Sequence, residues 1–102
     1  MSEIIFGKIE EIEDSKVLVK RFGRSRIAVC KYKDSFYAFK DACSHDNAPL
    51  DQGEICENII QCPRHGAKFD ITNGNFLSAP AFSNLTTYSV EIQEGNIKII
   101  LD

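Results

Sequence analysis

The sequence predicts an all-β fold, a small antiparallel barrel or sandwich with a loop-rich lobe inserted into it. Three observations predict it. Short segments rich in β-branched and aromatic residues recur about every 8–12 residues over the first part of the chain, separated by turn residues. A long strand pair around Glu94-Gly95-Asn96 closes the chain. Between these regions, a stretch holding Pro49, Gly53 and two close Cys/His pairs breaks the strand pattern. No segment has convincing helical periodicity, and there is no repeat or low-complexity run.

Taken in order, Ile4-Ile5-Phe6 reads as an edge strand and Glu10 to Asp14 as a solvated turn. Lys16 to Phe22 sets Val17, Val19 and Arg21 against Leu18, Lys20 and Phe22, the alternation of a strand. Gly23 breaks it, and Arg26 to Tyr32 resumes it. Lys33-Asp34-Ser35 is a turn, and Phe36 to Lys40 a strand leading to Asp41 and Cys43. Glu54-Ile55-Cys56 and Ile59-Ile60-Gln61 are short strands joined by Glu57-Asn58. Cys62 to Gly66 is a loop, and Ala67 to Ile71 another short strand. Asn73-Gly74 signals a tight turn, and Asn75 to Asn84, with Pro80, reads as irregular. Thr86 to Gln93 and Ile97 to Leu101 form the final hairpin.

Length and composition narrow the function. At 102 residues the chain is one domain with a modest core. Its net charge of −3 argues against a nucleic-acid partner, which would need a basic face. No apolar run approaches the roughly 18 residues of a membrane span. Met1 to Ile9 carries Glu3 and Lys8 and has no apolar signal-peptide core, so the expected compartment is the cytosol.

The chemistry sits between Cys43 and His65. Cys43 and His45 form C-x-H, Cys62 and His65 form C-x-x-H, and sixteen residues (46 to 61) separate the pairs. The chain has two histidines, and both fall inside these pairs. Two thiolates with two imidazoles suit either a tetrahedral zinc or a [2Fe–2S] cluster in which two histidines replace two cysteines on one iron. Positions 30, 43, 56 and 62 do not give the C-x4-C-x2-C spacing of an all-cysteine plant-type cluster. Cys30 and Cys56 read as small semi-buried thiols rather than a disulfide framework.

The full pattern C-x-H-x16-C-x-x-H, followed by Gly66 and Phe69-Asp70, resembles Rieske ferredoxins. The His45 to Leu50 run H-x-x-x-P-L, Gly74 and Ala79-Pro80-Ala81 carry the same resemblance. The resemblance implies a Rieske-like fold, with a base of residues 1–41 and 82–102 and a cluster-binding lobe of 42–81 at the opposite tip from the termini. It implies that Cys43 and Cys62 hold the inner iron, and His45 and His65 the outer, solvent-facing one. Gly66 either lets the backbone turn closely around the cluster, N–H groups toward its sulfurs, or is a plain turn glycine. Pro49 and Pro80 would stiffen loops over the cluster. Asp46, Asp51, Glu54, Glu57 and Arg64 read as solvated charges, some of them able to bias docking.

Departures from one branch refine the expectation. Respiratory and photosynthetic Rieske proteins have a disulfide between their ligand loops. The corresponding positions here, Ala48 and Arg64, cannot form it. Those proteins also place a serine and a tyrosine, as hydroxyl donors to sulfur, where Ala67 and Phe69 stand here. Fewer donors stabilise the reduced cluster less, which implies a low-potential carrier. The chain is thus similar to the ferredoxin component of bacterial aromatic-ring dioxygenase systems. That resemblance implies an electron carrier, not itself an enzyme, between a flavin-dependent ferredoxin reductase and a terminal oxygenase. The alternatives are a small Rieske-like subunit of a nitrite reductase and a zinc-binding Cys2His2 interaction module.

Overall fold

The computed structural model describes residues 2–14, 16–41, 54–62, 66–78 and 84–101. Strand β1 (Ser2–Lys8) runs into one turn of 3-10 helix (Ile9–Glu11). Then come β2 (Val17–Phe22), β3 (Ser25–Tyr32) and β4 (Ser35–Lys40). Short strands β5 (Glu54–Cys56), β6 (Ile59–Gln61), β7 (Lys68–Asp70) and β8 (Phe76–Ser78) follow. Strands β9 (Thr87–Gln93) and β10 (Asn96–Leu101) close the chain.

Turn chemistry explains the sequential pairing. Lys33 and Asp34 both take positive φ (50° and 64°), as do Glu94 and Gly95 (53° and 79°). Those are the two-residue turns whose twist matches flanking strands. They pair Tyr32 with Ser35 and Gln93 with Asn96. The strands form a six-stranded antiparallel sheet, β1-β10-β9-β4-β3-β2, and a four-stranded one, β5-β6-β7-β8. The larger sheet curls until its two edges meet through side chains. Phe6 of β1 and Phe22 of β2 lie 5.9 Å apart between ring centroids, and Lys20 Nζ donates to Phe6 O at 2.8 Å.

Alternation along the strands feeds two cores. Inside the curled sheet, Phe6, Ile12, Ile27, Val29, Ala38, Ile97 and Ile99 pack together. On the other face of β3 and β4, Ala28, Cys30 and Phe39 pack against Ile60, Cys62, Ala67, Phe69 and Ile71 from the smaller sheet's side. Strand β3 is therefore buried on both faces, Ile27 to Cys30 without interruption. In β2 the alternation read from the sequence also has two apolar destinations. Val17 and Val19 pack on the second core, and Leu18 and Phe22 on the first.

Two local readings change. The stretch from Asn75, expected to be irregular, contains β8, which pairs Lys68 with Ser78 and Phe69 with Phe76. Phe76 and Leu77 stay exposed, so no alternation marks this edge strand in the sequence. The acidic stretch from Glu10, expected to be solvated, begins in the 3-10 turn and buries Ile12. Glu11 ties the turn down by accepting from Lys8 N at 2.7 Å and Lys20 Nζ at 2.9 Å.

Candidate metal centre

Of the four expected ligands, Cys62 lies among the described residues. Cys43, His45 and His65 lie outside them. So do the readings on Asp46, Ala48, Pro49, Asp51, Gly53, Arg64 and the Ala79-Pro80-Ala81 segment.

Cys62 follows β6 directly and sits at the mouth of the β6–β7 hairpin. Both its backbone groups are used there. Its N–H donates to Ala67 O at 2.7 Å, and its carbonyl accepts from Gly66 N at 3.0 Å. The ladder continues below, with Gln61 opposite Lys68 and Ile60 opposite Phe69. Gly66, covalently next to His65, has φ +77°, where an L side chain is strained. A Cβ on it would also meet Gln61 Nε2 at 3.2 Å. Behind the hairpin mouth the wall is apolar: Cys62 is 1% exposed, and Ala67 and Phe69 are fully buried. A thiol on so constrained a backbone, in a C-x-x-H loop, suits a metal centre that takes a thiolate and an imidazole from each loop.

The strand leading to the first pair is equally anchored. Lys40 N donates to Thr86 O, and Asp41 N to Arg26 O, both at 2.8 Å. Arg26 Nε and Nη2 both donate to Asp41 Oδ2, at 3.0 and 2.8 Å. Cys43 is two residues further on. Sequence reasoning gave Arg26 no role beyond its strand and took Asp41 only as the residue to which the Phe36–Lys40 strand leads, because the pairing comes from the β3–β4 register. The return path is held by Leu85 N donating to Gly74 O at 2.7 Å and Phe76 N donating to Asn84 Oδ1 at 3.0 Å.

The remaining thiols separate more sharply than expected. Cys30 is fully buried with its Sγ 3.8 Å from Tyr37 O, and burial pushes its pKa up to about 12. Cys56 is exposed. Neither is semi-buried.

A model of the Rieske [2Fe-2S] domain matches residues 2–89. This chain belongs to the Rieske family. Its cofactor is accordingly a Rieske-type [2Fe–2S] cluster rather than a tetrahedral zinc. The 3-phenylpropionate/cinnamic acid dioxygenase ferredoxin subunit of Photorhabdus laumondii is 35% identical over 100 residues, 97% of this chain and 94% of that one. Ferredoxin CarAc of Metapseudomonas resinovorans is 36% identical over 81 residues, 79% of this chain and 76% of that one. Among solved structures, the Sphingomonas yanoikuyae B1 ferredoxin superposes with a TM-score of 0.92 at 25% identity, covering 99% of this chain and 100% of that one. The ferredoxin bound to the oxygenase of carbazole 1,9a-dioxygenase gives 0.88 at 28%, covering 95% and 91%. The Rieske fold expected from the sequence is thus the observed one. Among the described residues, no helix is long and apolar enough to cross a membrane.

Proposed function

We propose that this Rieske protein is the ferredoxin of a multicomponent oxygenase system, taking single electrons from a flavin-dependent reductase and delivering them to a terminal oxygenase in the cytosol. Cys43 and Cys62 ligate the inner iron, and His45 and His65 the outer. Residues 42–81 form the cluster-binding lobe on a base of 1–41 and 82–102. The cluster supplies one-electron chemistry, at a potential between about −150 and +300 mV rather than the roughly −400 mV of plant-type ferredoxins, because imidazoles replace two thiolates.

The observation that carries this reading is the mouth of the second ligand loop. Cys62 is held at both backbone groups and backed by an apolar wall. A ligand so fixed keeps its place as the charge beside it changes, which suits repeated electron uptake and release. Ala67 and Phe69, buried beside it, offer no hydroxyl to a sulfur, which supports a potential toward the low end of the range. The relatives named as ferredoxin subunits of dioxygenase systems support the place in the chain of carriers. The solved complex of a related ferredoxin with its oxygenase supports the choice of acceptor.

The test has two stages. The purified protein should be red-brown, with iron and acid-labile sulfide in equal amounts. Substitution of Cys43, His45, Cys62 or His65 should remove or change its absorption spectrum, whereas Cys30→Ser and Cys56→Ser should preserve it. Reduction through a flavin-dependent reductase and reoxidation by an oxygenase should then both proceed. A colourless protein holding one zinc would sink the proposal, as would loss of the cluster in Cys56→Ser but not in Cys62→Ser.

A further inference from the structure

We propose that Asn73 is a self-modification site held shut by the fold. While the β7–β8 connection is closed the asparagine is stable. When it opens, the side chain cyclises onto Gly74 N and loses its amide irreversibly.

The reactivity comes from the sequence. An asparagine followed by glycine is especially prone to this reaction, because glycine has no Cβ to shield its nitrogen and lets the backbone bend toward the side chain. Of the six asparagines, only Asn73 precedes a glycine. Gly74 N, having given up its proton, attacks Asn73 Cγ. The N–Cγ bond forms, the Cγ–Nδ2 bond breaks and ammonia leaves, giving a five-membered succinimide. Water then opens the ring at either carbonyl, leaving aspartate or isoaspartate at position 73. No oxidant or reductant is needed.

The fold withholds the nucleophile. Gly74 is buried, and its N–H donates to Asp70 O at 2.7 Å, out of reach of base. Its carbonyl accepts from Leu85 N at 2.7 Å, which pins the residue from the other side. Asn73 Oδ1 accepts from Asn75 N at 2.9 Å. That bond polarises the carboxamide toward attack, so protection rests on the held Gly74 N–H and not on an inert side chain. Asn73 itself is exposed, so water reaches it freely. An isoaspartate carries the main chain through its own side chain and lengthens it by one carbon. Gly74 would then be displaced from a place where even a Cβ would come within 2.7 Å of Thr87 Cγ2 and 2.8 Å of Leu85 O. The closed connection could not form again. It belongs to the sheet whose β6–β7 hairpin carries Cys62, so the modification marks chains in which that sheet has opened.

The experiment compares deamidation with hydrogen exchange. Folded protein and protein unfolded in urea are incubated in mildly alkaline buffer. Mass spectrometry follows the peptide holding Asn73, and enzymatic methylation identifies isoaspartate. Exchange of the Gly74 amide is measured on the folded sample. Deamidation is much slower than opening and closing of the turn, so its rate tracks the open population. Folded protein should deamidate on the order of a hundredfold more slowly than unfolded protein, as expected for a local opening short of global unfolding. The Gly74 amide should be protected by the same factor, within about threefold. Equal deamidation in folded and unfolded protein overturns the proposal. So does a freely exchanging Gly74 amide beside an intact Asn73, since something other than the held N–H would then protect it. Asp70→Ala removes the acceptor of Thr72 N and Oγ1. It should speed both reactions of the folded protein together, and acceleration of one without the other overturns the proposal. If that variant does not fold, Thr72→Val, which loses only the hydroxyl bond, is read in the same way. Asn73→Gln, which would need a six-membered ring, should abolish the product in the unfolded state. The same mass gain in its peptide would place the reaction elsewhere and overturn the assignment.

Discussion

Cys62 and Cys30 belong to the same apolar core, yet only Cys62 lies in a loop that also offers a histidine. Burial keeps Cys30 protonated in the folded protein, whereas an unfolded thiol ionises near pH 8.5. The folded pKa lies above the unfolded one, so this contribution is complete below about pH 8.5 and declines as pH rises toward about 12. The slope is about 1.4 kcal/mol per pH unit for one proton. The gap in thermal midpoint between the parent and Cys30→Ala should therefore narrow from pH 8 to pH 10; a constant gap would contradict the assignment. Beside Cys62, Ala67→Ser and Phe69→Tyr place hydroxyls where the respiratory branch has them. With a redox-dependent hydrogen-bond difference of about 1 kcal/mol, each should raise the potential on the order of 40 mV. Voltammetry on both variants checks this, and unchanged potentials with hydroxyls seen near sulfur would show that missing donors do not set the value.

After the buried Ile71, the β7–β8 connection depends on backbone shape. Asp70 Oδ1 accepts from both Thr72 N and Thr72 Oγ1, and Asn73 Oδ1 accepts from Asn75 N. Although burial opposes it, those bonds from Thr72 and one from Asn58 hold the Asp70 carboxyl below its ordinary pKa. Gly74 has φ +81°, and a Cβ there would come within 2.7 Å of Thr87 Cγ2 and 2.8 Å of Leu85 O. Backbone strain and overpacking add, so Gly74→Ala should cost roughly 2–4 kcal/mol. Gly23, at φ +64° with nothing within 4 Å, provides the control. Gly23→Ala carries strain alone, on the order of 1 kcal/mol. Thermal melts of the two variants should differ accordingly, and equal melting points would mean that the loop yields easily.

At the scale of the molecule, the two cores differ in what they depend on. Among the described residues, the core inside the curled sheet uses residues of β1 to β4, β9 and β10 and of the segment around Ile12. The second core needs β6, β7 and Cys62. Removing the cluster should therefore loosen the small sheet first. Hydrogen exchange of the chelated protein should accelerate at Ile60 and Phe69 while Ile97 and Ile99 stay protected. Equal acceleration in both sheets would show a single cooperative unit.

Much of this was legible in the chain itself. Period-two alternation marks β2 and β9, β-branched and aromatic residues mark β3 and β4, and turn residues such as Glu94-Gly95 mark where strands reverse, because all are local stereochemistry. The C-x-H and C-x-x-H pairs are legible for the same reason, since ligand spacing reflects covalent reach. Register between distant strands has no local signature. It decides that β3 is buried on both faces, that Lys20 reaches Phe6 O to close the sheet, and that Arg26 meets Asp41. The strand at Phe76–Ser78 is formed by its pairing with β7, not by propensity, and the exposed side chains of Phe76 and Leu77 leave no pattern to read. The sequence determined which residues could bind a cluster. Only the tertiary structure decided that Cys62 is buried against Ala28, Cys30 and Phe39 and that a buried carboxylate stands at the root of the other loop, because both depend on contacts between segments far apart in the chain.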